Sequence, residues 1–223
     1  MRWLSPEGLR EAAGRIIPIL ICITFHELSH GLAAYKLGDR TAKNMGRLTL
    51  NPVRHIDPVG CLMLLFTGFG WARPVPVNMR AFRNPKRGMA ITALAGPVSN
   101  IVLAVPFLFL YGAAYVFVPH TQMGIFFSGL LYDTAYISVA LAVFNLIPIP
   151  PLDGSKVLFS LASDRQYYNL MRYERYGMII LVAVMYIGIF DGPISQATRF
   201  VFNGLYYVAR GSAFLFSRIA GLF

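Results

Sequence analysis

Charged residues are spread unevenly along the chain, and the gaps between them set the first expectations. No Asp, Glu, Lys or Arg occurs in Gly88–Val118 or Thr134–Leu152, and Ile16–Tyr35 carries only His26, Glu27 and His30 as ionisable groups. About 20 apolar residues cross a bilayer as a helix, so each of these runs is long enough to span. Pro58–Ala72 and Tyr176–Phe190 are shorter uncharged runs. The first begins at a proline and is rich in Gly, which predicts a re-entrant or kinked segment. The second crosses only with tilt or local thinning. Asp39–Pro52 and Trp71–Asn78 mix β-branched residues with turn formers and read as short strands or extended loops. From Ile194 to Phe223 apolar residues are punctuated by Arg199, Arg210 and Arg218, the pattern of an interfacial amphipathic helix or of a last, imperfect span.

The expected fold class is therefore an all-α polytopic membrane protein: a helix bundle with a short re-entrant or β-like segment between the first two long spans. A single membrane-embedded domain, residues 1–223, accounts for the chain. It has spans at 16–35, 88–118 and 122–152, extended loops over 39–80 around the re-entrant run 58–72, a short span at 176–190 and the terminal segment 194–223.

Composition sharpens this reading. Of the 223 residues 56% are hydrophobic and 13% charged, against about 25% charged in soluble domains, which excludes an ordinary soluble enzyme. The net charge of +10 does not point to nucleic acid, because so apolar a chain has little surface for a basic groove. Lys36, Arg40, Lys43, Arg47 and Arg54 form one basic cluster, and Arg73, Arg80, Arg83, Lys86 and Arg87 another. Both loops are expected on the cytoplasmic side. The His120 turn then lies outside, Pro151–Arg175 inside and the N-terminus outside, although Arg2, Arg10 and Arg15 pull against the last assignment. Glu7 and Glu11 interrupt any signal-peptide pattern, so the first span is expected to be retained. Cys22 and Cys61, both in apolar runs, form neither a disulfide framework nor a zinc knuckle.

Candidate chemistry is concentrated in the first span. His26-Glu27-Leu28-Ser29-His30 is an H-E-x-x-H pattern, and four residues advance a helix by about 400°, so both imidazoles leave one face and can share a zinc ion. Glu27 stands where a general base would take a proton from water. The plainer alternative is that the three side chains merely hydrogen-bond to neighbouring helices. Ionisable groups at the membrane centre cost about 2.5–3.5 kcal/mol each on insertion scales, which argues for a compensating partner. Cys22 lies one turn before His26 and is either a further ligand or packing.

A third ligand must come from farther along the chain, and the candidates are His55, His120, Asp57, Asp133 and Asp153. Asp133 falls near the outer end of its span, about 18 Å of helix from Asn145. Asp153 follows Pro148, Pro150 and Pro151, which forbid a regular helix. It precedes Gly-Ser-Lys-Val-Leu-Phe, so it is either a ligand or a helix N-cap. For His55 and Asp57, support of the ligands competes with a surface position and a turn role, respectively.

HELSHG (26–31), NPVRHIDPVG (51–60), GWARPVPVN (70–78), AGPVSN (95–100) and NLIPIPPLDG (145–154) together resemble the site-2 protease family of intramembrane zinc metalloproteases, in the family's order and over about residues 16–160. The resemblance implies one zinc per chain held by His26, His30 and Asp153, with Glu27 catalytic. It implies that Asn145 holds or polarises the substrate carbonyl, with Asn100 a second candidate for that work. It further implies hydrolysis of a peptide bond in or near the transmembrane segment of a membrane protein, at a prokaryotic plasma membrane, with the active site toward the cytoplasm. The expected partners are that substrate and the lipid bilayer, with no nucleic acid. Departures are Ser155 where many relatives have a second Gly, the absence of an extra span before HELSHG and the lack of room for a regulatory module, so the chain resembles a compact, core-only member. The rival class is a membrane metal-ion transporter or a non-catalytic metal-binding scaffold, in which intramembrane His and Asp pass or hold an ion without cutting.

Overall fold

A computed structural model describes residues 6–61 and 70–221. Its named helices are α1 (Pro6–Lys36), α2 (Thr41–Asn44), α3 (Pro85–Phe117), α4 (Gln122–Asn145), α5 (Asp153–Ser160), α6 (Asp164–Ile187) and α7 (Asp191–Ile219). Three helical stretches are long and apolar enough to cross a membrane: Ile16–Lys36, Pro85–Phe117 and Gln122–Asn145. At 1.5 Å per residue they measure about 32, 50 and 36 Å, against a hydrocarbon core of about 30 Å. The protein is thus an all-α polytopic integral membrane protein.

The long runs became helices because in lipid every backbone N–H and C=O must be satisfied within its own segment. Pro18 lies inside α1, a break that membrane helices tolerate when neighbours re-satisfy the freed carbonyl. α4 stops at Asn145, because Pro148, Pro150 and Pro151 remove N–H donors from any continuation.

Elsewhere the structure departs from the expectations. The segments Asp39–Pro52 and Trp71–Asn78 do not form strands. Among the described residues the only β pairing is an isolated antiparallel bridge between Ile56 and Ala72. One reason is local competition for the backbone: the Asp39 carboxylate accepts from the Thr41 amide (2.9 Å) and hydroxyl (2.5 Å), winding the chain into α2. Asp39 also accepts from the Asn78 amide at 2.6 Å. Burial would push its carboxyl up, but the Thr41 hydroxyl and the Asn78 and Thr41 amides hold it below the usual carboxylate range. The second reason is that Pro74 and Pro76 cannot donate to a ladder.

The re-entrant run 58–72 falls largely outside the described residues. At its edges the Arg73 amide bonds to the His55 carbonyl at 2.9 Å, and a Cβ on Gly60 would lie 2.1 Å from the Trp71 carbonyl oxygen. The chain therefore leaves and returns at one place.

The short span expected at 176–190 begins earlier, because residues 164–175 are already the start of α6. Ser163 and Gln166 form a capping box there, and the reciprocal bonds satisfy the first amides of the helix. α6 ends at Gly188, whose φ of 74° suits a residue without a Cβ. α7 reaches the length and apolarity of a span only when taken together with Tyr176–Ile187. It exposes Phe200, Tyr207 and Phe214, with Arg210 and Arg218 stacked over Tyr207 and Phe214.

The chain divides into two compact units: residues 1–22, 100–141 and 193–223 in one, and 23–99 and 142–192 in the other. In the first, Tyr111, Tyr132, Tyr136, Phe202 and Tyr206 make an aromatic cluster with ring centroids 5.2–6.5 Å apart. Small residues let α3 and α7 touch: a Cβ on Gly112 would lie 2.0 Å from the Ser212 hydroxyl and 2.1 Å from the Ala209 carbonyl. The Ser212 hydroxyl donates to the Phe109 carbonyl at 2.9 Å. The second unit contains the H-E-x-x-H turns of α1, the start of α3, the Pro-rich turn, α5 and α6.

Gly112→Ala is expected to lower the thermal midpoint in detergent, the overpacking costing about 1–3 kcal/mol. Gly129→Ala, where a Cβ meets nothing within 4 Å, should leave the midpoint unchanged or raise it. Equal behaviour of the two variants would contradict the close α3–α7 contact.

Candidate metal centre

Helical spacing places His26 and His30 one turn apart on α1, their ring centroids 4.5 Å apart and nearly perpendicular. Asp153 reaches them from the first turn of α5. The N-cap of that helix is Leu152, in extended conformation and without a side-chain cap bond, so the N-cap alternative for Asp153 is not realised. Its Oδ2 lies 3.1 Å from Nε2 of His26 and 3.1 Å from Nε2 of His30. All three side chains are buried.

Local sequence explains the approach. A Cβ on Gly154 would fall 2.2 Å from the Leu146 carbonyl oxygen, so only glycine lets α5 fold back against the Pro-rich turn. The Ser155 hydroxyl donates to the Leu152 carbonyl at 2.7 Å and closes the same turn.

Hydrogen bonding tests whether these groups suit a metal. Nδ1 of His30 lies 2.7 Å from the Thr92 carbonyl. A carbonyl only accepts, so Nδ1 carries the proton, and a neutral ring then turns the lone pair of Nε2 toward the carboxylate. Two acceptors 3.1 Å apart in a buried site need a proton or a metal ion between them, and a neutral ring leaves that place to the metal. Tetrahedral zinc with bonds of about 2.0–2.1 Å separates its ligands by about 3.3 Å. Among the described residues this is the one group of His, Cys, Asp or Glu whose donor atoms gather within 4.8 Å. The donor set of two imidazoles and a carboxylate fits zinc.

Glu27 is half-buried on the neighbouring position of α1. Its Oε2 accepts from the Val75 amide at 2.8 Å, and Oε1 has no partner among the described residues. The segment carrying Val75 is itself held. Nη2 of Arg47 donates to the Arg73 carbonyl at 2.7 Å, and Gly31 leaves the room in which Leu48 and Val75 pack against α1. Arg47 is buried and has no described acid as an ion-pair partner. Burial and the nearby Arg73 and Arg54 charges lower its guanidinium below the usual range, with the Glu27 carboxylate pulling the other way.

Sequence reasoning did not find Thr92, Gly96, Val75 or Arg47. A Cβ on Gly96 would lie 2.5 Å from His30 Nε2 and 2.6 Å from His26 Cε1; Gly96 is where α3 passes the two rings. Its presence in AGPVSN was the only available signal. The other candidates stand apart. Cys22 turns its thiol to the Thr134 carbonyl at 3.4 Å. His55, expected at the surface, is buried, and its Nε2 pairs with the Thr49 carbonyl at 2.9 Å. Asp57 accepts from the Gly60 amide in a turn. His120 and Asp133 are exposed. Asn145 is the half-buried last residue of α4. Asn100 is fully buried in the other unit, its carbonyl accepting from the Ser138 hydroxyl.

An H-E-x-x-H turn completed by a distant aspartate, in a helical membrane protein, defines the class of membrane metallopeptidases. The comparisons agree. The model of Peptidase family M50 matches residues 116–188. "Putative zinc metalloprotease YwhC" of Bacillus subtilis is 40% identical over 175 residues, 76% of this chain and 78% of that protein. "Putative zinc metalloprotease Rip2" of Mycolicibacterium smegmatis is 29% identical over 83% of this chain and 73% of its own. "Putative zinc metalloprotease MJ0611" of Methanocaldococcus jannaschii is 33% identical over 60% and 63%. No solved structure matches. The chain belongs to Peptidase family M50, the site-2 protease family; it is a zinc metalloprotease, a hydrolase with Zn2+ as its cofactor.

Gly96→Ala places a methyl group against both imidazoles and is expected to weaken zinc retention at least tenfold in chelator competition, with helicity unchanged. Unaltered retention would show that α3 does not confine the rings.

Proposed function

We propose that the protein is an intramembrane endopeptidase, hydrolysing a peptide bond in or near the transmembrane segment of a membrane protein substrate, and that His26, His30 and Asp153 hold its zinc. The observation that carries this reading is depth. His26 is the eleventh of the 21 residues of Ile16–Lys36, about 15 Å of helix from either end, so a bond brought to the site is itself inside the bilayer. Basic loops follow α1 and precede α3, which supports a site opening to the cytoplasm, in keeping with a prokaryotic plasma membrane.

Zinc, when bound, supplies the Lewis acidity that brings a water toward a pKa of about 7 and polarises a carbonyl. The residues supply the rest. Val75 holds one oxygen of Glu27 and leaves Oε1 to take the proton from the attacking water and hand it to the leaving amine. Thr92 fixes the His30 tautomer. Asn145, at the end of α4 beside the turn that carries Asp153, holds the scissile carbonyl; full burial leaves Asn100 a packing role.

A substrate helix must unwind before it is cut, and Trp71–Asn78 is the extended segment at hand. Its donors are largely committed: Arg73 to His55, Val75 to Glu27 and Asn78 to Asp39, with Pro74 and Pro76 having none. An unwound substrate pairing here donates to the exposed Pro74 and half-buried Pro76 carbonyls, a one-sided form of strand addition.

The test is purified, zinc-loaded protein with a single-span substrate. Glu27→Gln should keep its zinc and lose turnover by at least 10²–10⁴-fold, the scale of general-base catalysis. Zinc transport without cleavage, or cleavage undiminished in the variant, would overturn the assignment in favour of a transporter or a different base. Arg47→Ala frees the segment that holds Glu27 and is expected to lower kcat about tenfold or more while zinc content stays at one per chain, as checked by metal analysis. Unchanged kcat would remove Arg47 from the positioning of Glu27.

A further inference from the structure

Away from the metal centre, a cavity of about 620 Å³ lies between the start of α3 and the last turn of α5, lined by Arg83, Asn84, Lys86, Arg87, Ile91, Leu94 and their neighbours Pro85, Ala90 and Ser160. Its chemistry is graded. Arg83 and Arg87 are exposed at one end; no acid lines the cavity and no described acid pairs with either. Lys86 is fixed at the same end, its ammonium donating to the Ala162 carbonyl and lying 5.9 Å from the Tyr167 ring centroid. Toward the other end the wall becomes apolar, through Ile91 and Leu94.

The apolar wall does not stop at the cavity. Ile91, Leu94 and Val98 are all exposed and recur at spacings of three and four, so they form one stripe along this part of α3. From Ile91 to Val98 it runs about 10 Å, enough for the upper part of an acyl chain. The basic end lies at the entry of a membrane-spanning helix, where lipid headgroups sit.

We propose that this cavity binds an anionic phospholipid, its phosphate between Arg83 and Arg87 and the upper part of an acyl chain along the Ile91–Val98 stripe. A soluble phosphate compound satisfies the basic end but leaves the stripe unused. A zwitterionic lipid fills the stripe but brings an extra cation to an end that already has three. Basic pockets beside membrane helices on the cytoplasmic side favour anionic headgroups for this reason. The site also has a consequence for catalysis. Its two walls are the helix that presents Thr92 and Gly96 to the histidines and the helix that begins at Asp153, so a lipid seated there ties together two elements of the metal centre.

The experiment uses the full zinc-loaded chain in detergent, with native mass spectrometry of lipid retention and the thermal midpoint as readouts. The probes are a phosphatidylglycerol, a phosphatidylcholine of the same chains and sn-glycerol 3-phosphate. The account predicts at least tenfold preferential retention of phosphatidylglycerol and a rise in midpoint with that lipid alone. The pair Arg83→Gln and Arg87→Gln should reduce the preference about tenfold or more, at roughly one unit of surface attraction per basic residue, with zinc content unchanged. The pair Arg199→Gln and Arg210→Gln, on exposed positions of α7, should retain it. Equal losses in both pairs would reduce the effect to bulk surface charge and overturn the site. Displacement of the lipid by glycerol 3-phosphate at equal concentration would make it a phosphate site and overturn the lipid. Equal retention of both lipids would overturn the charge recognition.

Discussion

Two imidazoles and a carboxylate converge in the interior of this protein, and at least one imidazole meets the carboxylate lone pair to lone pair. With neutral rings that contact is repulsive until a proton or a metal ion lies between the groups, and the low dielectric around them removes the option of leaving them to water. Much of the second unit is arranged to maintain it. α1 sets the histidines one turn apart, Thr92 fixes the proton on His30, Gly96 confines the rings, and the Pro-rich turn with Gly154 returns Asp153 to them. The arrangement fits a zinc ion, and removing any one of the three side chains leaves the other two buried with fewer partners.

The carboxylate proposed as the general base is held differently. Glu27 belongs to the same helical turn as the ligands but is only half-buried, and it is held by one backbone amide. That amide comes from an extended segment anchored at both ends: Arg47 and His55 fix Arg73, and Asp39 fixes Asn78. Buried charged side chains that are costly in isolation thereby acquire a purpose in holding a backbone near the base. The same segment exposes acceptors toward any incoming chain, so substrate engagement and the position of the base are linked through one strand-like strap.

Much of this was legible in the amino-acid sequence, for identifiable reasons. Charge-free runs report spans because lipid tolerates few ionised groups, and H-E-x-x-H reports a metal site because helical periodicity fixes the direction of residues four apart. Asp153 stood out among the candidate acids, but its choice between ligand and N-cap depended on whether Leu152 or Asp153 begins α5. Thr92 and Gly96 were hidden because a carbonyl belongs to every residue and glycine acts here by lacking a side chain. For His55 a surface position was weighed against support of the ligands, yet the 3-10 turn Pro52–His55 buries it against the Thr49 carbonyl. α6 was missed at its start, although Ser163 and Gln166 carry the capping-box signature, because the expected span was bounded by the uncharged run from Tyr176 and the helix begins in the charged stretch before it.

His26, His30 and Asp153 are proposed to bind one zinc, and X-ray absorption at the zinc edge of the purified protein tests that claim most directly. It predicts two imidazole nitrogens with oxygen completing the shell at about 2.0–2.1 Å and no sulfur near 2.3 Å, with the spectrum or the zinc itself lost in Asp153→Ala. A sulfur scatterer, which would bring Cys22 into the shell, or an unchanged spectrum in that variant, would contradict it.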